Sequence, residues 1–488
     1  MIEPIDFAGR SWGPWIGGRT VGGALKVEIV EAYRGGVLAR VGLADTGLVD
    51  EAVQAAVAAA PSAAALPIHQ RAAVLRRAAE LVEESAEELA QIVTRSTGKV
   101  MKDTLREARR VAWTYRASAT AAENLEGELY ATDAMPGGEQ ITAYSLRQAV
   151  GVVAAITPFN APLNLVAHKL GPSIAAGNTM VVKPASAARL PALRLAQIFH
   201  EAGLPPGIIN VLPGGPEIAQ ALVRHPDVRM ITFTGGRQAG EEILRSAGVK
   251  RVLLELGGNS PNLIHRDANL HLAVEQCLRG GFANNGQSCN SVQRIYVHRA
   301  VMEEVSNLLV EAVGKLKVGD PMDPTVDVGP LVDEASAARV AEWIEEAQRD
   351  GAEVLVGGHR DGSLIQPTVV ANSPETCRLA VDEAFAPVVL LFPYDDLDDA
   401  IARANRSTFG LQSAIFTSSL DVAGQAVREL AAGAVLVNRS SNFRLDHLPY
   451  GGIKASGLGR EGPREAIREM TELKVVMIAP SQSETAVS

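Results

Sequence analysis

From residue 150 onward, short apolar runs alternate with helix-patterned segments, and this alternation restricts the fold more than any other feature. "VGVVAAIT" (150–157) precedes an amphipathic stretch at 164–176, and "TMVVKP" (179–184) precedes "LPALRLAQIFHEAG" (190–203). "IINVLPG" (208–214) leads into a short helix, and "RMITFTGG" (229–236) into "RQAGEEILRSAG". Apolar, β-branched runs bounded by Gly, Pro or Asn predict strands buried on both faces. Strand–helix–strand repetition demands right-handed crossovers, hence a parallel, doubly wound α/β sheet.

The pattern recurs in "RIYVH" (294–298), a helix at 300–316, "AEVLVGG" (352–358), "PVVLLFPY" (387–394) and "GAVLVN" (433–438), which predicts a second α/β domain. At 488 residues the chain is too long for one simple core. Residues 47–120 are alanine-rich, amphipathic and predicted helical. "GEQITAYSLRQAV" (138–150) and "ELKVVMI" (472–478) alternate like exposed strands. Exposed strand edges need partners, so these two predict a β-ribbon between subunits or domains and a homodimer or homotetramer.

Charge and cysteine content exclude several classes. The net charge is −10 with no basic stretch, which argues against nucleic acid as a partner. The N-terminus lacks the charged start and apolar run of a secretory signal, and apolar runs fall far short of the roughly 20 residues a membrane span needs. Three cysteines at no metal-ligand spacing suit reduced thiols in a cytoplasm and no metal site.

One of the three, Cys289, sits in "FANNGQSCN" (282–290), among small residues that let backbone N–H groups and a ligand approach closely. Read alone it is better taken as an inert loop cysteine; as a thiolate it is a nucleophile. Glu255, in "LLELGGNSP" (253–261), ends an apolar strand, where desolvation raises a carboxyl toward general-base work. Asn160, in "ITPFNAPLN" (156–164), follows a strand and offers an amide donor for an oxyanion. Lys183, in "VVKPAS", lies at the carboxyl end of a strand, where open α/β sheets bind nucleotides. "FTGGRQAG" (233–240) is a strand, a Gly-rich turn and a helix start suited to a phosphate, though it does not fit G-x-G-x-x-G.

In order, "PFN" (158–160), "KPAS" (183–186), "EAGLPPGIINVLPG" (201–214), "FTGG" (233–236), "LELGGNSP" (254–261), "GQSC" (286–289), "DEAFAPV" (382–388), "FGLQSAIFT" (409–417), "VNRS" (437–440) and "PYGGIKASGLGREG" (449–462) together resemble the aldehyde dehydrogenase superfamily, from about residue 40 to 478. The resemblance implies a Rossmann-like cofactor domain (1–125 and 148–256), a catalytic domain (257–457), and an oligomerisation arm and tail (126–147 and 458–488). It implies NAD(P)-dependent oxidation of an aldehyde, with Cys289 as nucleophile, Asn160 and the Cys289 N–H holding the oxyanion, and Glu255 activating water. Lys183 and Glu383 would bind cofactor ribose hydroxyls, Phe385 would pack on the nicotinamide side, and Gly235 would border the pyrophosphate. Thr157, Pro158, Phe159, Ser186, Gly215, Phe233, Thr234, Gly236, Leu256 and Gly257 complete the implied NAD or NADP site.

Ser186 stands where many NAD-preferring members carry a glutamate that repels a 2′-phosphate, so both cofactors are expected to serve. Gly236 and Ala386 replace a frequent serine and glycine. Glu255 argues against the CoA-acylating relatives, which generally lack that acid. "NRSSNFRLDHLPYGG" (438–452) resembles the branch of lactaldehyde, glyceraldehyde-phosphate and phosphonoacetaldehyde dehydrogenases. It places Arg439, Arg444 and His447 near the substrate mouth, for an anion or, alternatively, for a salt bridge to Asp446 or Glu461. Ser288, Asn290, Leu163, Val166 and Trp113 are further candidates for the substrate pocket.

Overall fold

The structure, a computed structural model, describes residues 5–480. Five parallel strands form the middle of an eight-stranded sheet, in the order Ile209–Val211, Thr179–Pro184, Val152–Thr157, Val228–Thr234, Arg251–Glu255. Chain order reverses beside Val152–Thr157, whose neighbours on either side come next and later in the sequence. Strands Val152–Thr157 and Thr179–Pro184 are buried at every position, as their unbroken apolar runs require. Short strands Trp15–Ile16 and Gly457–Leu458 flank the five, both antiparallel.

A seven-stranded sheet repeats the plan with Thr368–Ala371, Val388–Tyr394, Arg294–His298, Pro261–Ile264, Gln412–Phe416 and Ala434–Val437 in parallel. The predicted strand in 352–358 is Glu353–Val356, but it pairs antiparallel at the edge, where no crossover helix is needed. In this sheet the loops beyond the reversal are hydrogen-bonded to each other. Asp267 accepts hydrogen bonds from the Thr417 hydroxyl at 2.8 Å and the Ser418 hydroxyl at 2.9 Å. In the first sheet, Thr157 and Thr234 end adjacent strands, and the corresponding crevice is open.

Residues 47–120 are helical as expected, in Thr46–Ala65, Ile68–Glu84, Ala86–Thr97 and Met101–Glu123. Their alanines pack flat against the first core, which Tyr115 and Phe199 fill edge to face at 4.9 Å. The expected ribbon forms within the chain: Thr142–Ala149 pairs antiparallel with Thr471–Ile478, joined by Leu129–Tyr130. It leaves Leu129, Leu146, Leu473, Val475 and Met477 exposed. A hairpin of Leu25–Val30 and Val37–Leu43 was not foreseen. Among the described residues no single helix is long and apolar enough to cross a membrane.

Candidate active site

Cys289 is aimed by an unusual backbone. Asn284, Asn285 and Gly286 are consecutive left-handed residues, at φ 55°, 56° and 70°. For an L-residue that conformation costs roughly 1–2 kcal/mol, least for Asn. The two asparagines offset it with their amides. Asn285 donates to the carbonyls of Gly98 (3.0 Å) and Pro330 (2.8 Å) and accepts from the Gly329 N–H. Asn284 donates to the carbonyls of Asn160 (3.0 Å) and Gln287 (2.9 Å). At Gly286 a Cβ would lie 2.1 Å from the Ala386 carbonyl oxygen, so no other residue fits there.

The sulfur emerges where two cavities meet. On one side a space of about 890 Å³ is lined by thirteen of the fourteen predicted cofactor residues, together with Asn160, Glu255 and Cys289. Gly215 is the exception: it caps helix Pro216–Arg224 and donates its N–H to Glu217. On the other side Cys289, Asn160, Ser288, Asn290 and Arg444 line a pocket of about 130 Å³. Cys289, Asn160 and Leu165 belong to both.

The thiol is pushed up to about 12 by burial, opposed by a hydrogen bond from the Tyr450 hydroxyl and reinforced by Glu383 and Glu255. Tyr450 Oη lies 3.2 Å from Sγ. Glu255 is 2% exposed, and neither of its carboxyl oxygens has a hydrogen-bond partner among the described residues. Burial drives it well above the usual carboxylate range and the charge of Glu461 adds to this, while Arg444, Lys169 and Arg460 pull it back. The Asn160 amide donates to the Gln287 carbonyl at 2.9 Å, beside the cysteine. The Asn160 backbone carbonyl accepts from Lys99 Nζ at 3.2 Å.

The larger cavity fits a dinucleotide. Helix Arg237–Ser246 begins at Gly236 with no side chain capping its first turn, so its N–H groups are free for phosphate. The buried hydroxyls of Thr157 and Thr234 have no hydrogen-bond partner among the described residues. A Cβ on Gly257 would fall 2.4 Å from the Glu383 carboxylate, and one on Gly235 would strike the Phe233 ring, so both glycines keep the wall open. Lys183 is lowered by burial and by nearby Arg189, with Glu217 opposing. Glu383 is pushed to about 7 by burial, while the Gly258 N–H it accepts and Arg339 restrain it. Phe385, at φ 52°, meets Phe159 edge to face at 5.9 Å. Arg237, Gln238, Arg339 and Trp343 line the same cavity and escaped the sequence reading.

Several substrate-side expectations are corrected. Trp113 is 61% exposed and lines neither cavity. Leu163 and Val166 face the first core, and Leu165 lines the pocket instead. His447 and Arg439 are exposed, the latter beside the Phe443 ring. Arg444 does line the pocket, and its Nη2 also lies 3.4 Å from Glu461. Lys99, Asp103, Arg106, Glu107 and Arg110, in and just before helix Met101–Glu123, supply most of the pocket's charge and were missed. Their spacing, with 103, 106, 107 and 110 on one helical face, was the available signal.

The model of the aldehyde dehydrogenase family matches residues 20–476. The chain is 41% identical over 470 residues to a 3-sulfolactaldehyde dehydrogenase of Priestia aryabhattai, covering 96% of this chain and 98% of the relative. It superposes with a TM-score of 0.94, at 36% identity, on an aldehyde dehydrogenase from Physcomitrella patens in complex with the reaction product succinate, covering 97% and 100% of the two chains. An NADP-dependent glyceraldehyde-3-phosphate dehydrogenase from Bacillus halodurans, complexed with NADP, gives 0.94 at 34% identity, covering 97% and 100%.

Proposed function

The chain belongs to the aldehyde dehydrogenase family and is an aldehyde-oxidising enzyme; from that premise we propose the course its own residues take. Cys289 Sγ attacks the aldehyde carbon and forms a thiohemiacetal, whose oxyanion takes hydrogen bonds from the Asn160 amide and the Cys289 N–H. Tyr450 donates to the thiolate before attack and so opposes the burial that keeps the thiol protonated. When bound, NAD or NADP supplies the hydride acceptor. What remains on Cys289 is a thioester. Glu255, whose carboxyl burial makes more basic, removes a proton from water as the water attacks that thioester, and the acid leaves. Lys183, Glu383 and the start of helix Arg237–Ser246 would hold the cofactor's ribose and phosphates. The reading is carried by one observation, that Cys289 and Asn160 line both cavities while Glu255 faces the cofactor side.

The substrate proposed is a small anionic aldehyde. Lys99, Arg106, Arg110 and Arg444 line the pocket against the carboxylates Asp103 and Glu107. The relatives named above include a sulfolactaldehyde enzyme and a complex with succinate, which supports the same reading. Arg444→Ala tests it with a short carboxyl-bearing aldehyde and its methyl ester. KM for the charged compound should rise at least tenfold and that for the ester should hold; an equal rise for both sinks the anion reading. We further propose the cofactor and catalytic domain division at about residue 256, and assembly into a homo-oligomer through the exposed ribbon.

A further inference from the structure

His168 lies on helix Asn164–Ala176, its side chain wholly buried, and the reaction course above does not use it. A single nitrogen of its ring faces two opposite charges. Nε2 is 3.1 Å from Asp446 Oδ1 and 3.2 Å from Arg444 Nη2. It carries either a proton or a lone pair, so it serves one of them and not both. Nδ1 is buried with no hydrogen-bond partner among the described residues and settles nothing.

The two neighbours differ in need. Asp446 already accepts from Arg110 Nε and Nη2, at 2.9 and 2.7 Å, and from the Asn164 amide at 3.0 Å. Among the described residues Arg444 Nε is buried with no hydrogen-bond acceptor, Asp446 Oδ1 lying 4.0 Å away, and Nη2 has beyond His168 only the 3.4 Å contact to Glu461. The guanidinium rests on the Tyr450 ring, 3.8 Å from its centroid, and Tyr450 in turn reaches Cys289. Lys169, the next residue of the helix, holds Glu461 at 2.9 Å. One helix thereby fixes both acids that flank Arg444.

We propose that His168 is a positioning residue for Arg444: the neutral imidazole accepts from the guanidinium and holds it over Tyr450, and a proton on the ring releases it. The inference rests on Arg444 as the anion anchor proposed above. Starting from either neutral tautomer, protonation places an N–H and a positive charge against Arg444 and favours Asp446 and Glu461. Arg444, Asp446 and Glu461 face the ring directly, with Arg110 behind Asp446 and Lys169 alongside on the same helix. Burial and Arg444 hold the imidazole below its ordinary range while Asp446 opposes them, so release belongs to the acid side of neutrality.

The test measures KM across pH 5–8 for a carboxyl-bearing aldehyde and its methyl ester, with wild type, His168→Gln, His168→Leu and Arg444→Ala. Wild type should show KM for the charged aldehyde rising at acid pH and KM for the ester flat. His168→Gln accepts from Arg444 and donates to Asp446 at once without titrating, so it should keep the neutral-pH KM within about twofold and abolish the acid rise. His168→Leu should raise KM for the charged aldehyde about tenfold at every pH. Persistence of the acid rise in His168→Gln overturns the proposal, and this holds even where the leucine variant fails to fold. If Arg444→Ala removes the preference for charge but a folded His168→Leu does not weaken it, only the role of His168 falls. If Arg444→Ala leaves that preference intact, the anion reading itself falls.

Discussion

Tyr450 stands between Cys289 and Arg444: its hydroxyl is 3.2 Å from Cys289 Sγ, and its ring carries the Arg444 guanidinium 3.8 Å above its centre. Tyr450→Phe removes the donor and keeps the shelf. A hydrogen bond to a charged group contributes about 1.5–3 kcal/mol. Alkylation of Cys289 by iodoacetamide at fixed pH should therefore slow by about ten- to a hundredfold, its pH profile moving to higher pH. An unchanged profile means that the hydroxyl does not act on the sulfur.

Glu255→Gln should separate the two halves of the reaction. Reduced cofactor should still appear in a burst of about one equivalent per site, with steady turnover down by about a hundredfold or more. The acyl-enzyme should accumulate and show in intact-protein mass spectrometry. The base works only when deprotonated, and burial raises its pKa, so wild-type kcat should fall as pH drops toward that raised value. The glutamine variant should lose that dependence.

Asn160→Ala should cost about a hundred- to a thousandfold in kcat, the usual size of one oxyanion donor at roughly 3–4 kcal/mol. The same change frees the Gln287 carbonyl, which the Asn284 amide also serves at 2.9 Å. Melting temperature should accordingly move little. A large drop in stability with modest loss of kcat would make Asn160 a strut for the cysteine loop and remove its catalytic role.

Ser186 lines the cofactor cavity with Lys183, and no acid stands at that position to repel a 2′-phosphate. Wild type should use NAD and NADP with kcat/KM values less than about a thousandfold apart, roughly 4 kcal/mol. Ser186→Glu should raise KM for NADP far more than for NAD. Parallel rises would move the phosphate contact elsewhere.

Leu473 and Val475 lie exposed on an antiparallel ribbon. Changing both to Asp should lower the mass measured by light scattering to that of the single chain, 51.5 kDa. An unaltered mass would place assembly on another surface.

What the sequence disclosed depended on how locally each signal was written. Asn160, Lys183, Glu255 and the "FTGG" turn each lie at or just beyond the carboxyl end of a strand whose apolar run names it, and parallel registration then brings those ends together. The charged face in and before Met101–Glu123 was missed because its meaning lies in packing against a loop near residue 284, far along the chain. Asp103 accepts from the Asn284 N–H at 2.8 Å. Leu163 and Val166 were taken for Leu165 because each helical residue turns about 100°, so a small error in where the helix starts selects the wrong face. His447 was grouped with Arg444, yet within one loop Arg444 and Asp446 turn inward while His447 turns out. No periodic pattern governs such a segment.

The bare α-carbon of Gly286, pressed against the Ala386 carbonyl, makes mechanical neighbours of two loops about a hundred residues apart. One carries the sulfur, and the other carries Glu383 and Phe385 on the cofactor side. Neither can drift without displacing the other, so the spacing between Cys289 and the cavity wall at Glu383 and Phe385 is gauged by a steric stop. Variation in the 383–386 loop should therefore register first in the reactivity of Cys289 and only afterwards in how tightly the dinucleotide is held.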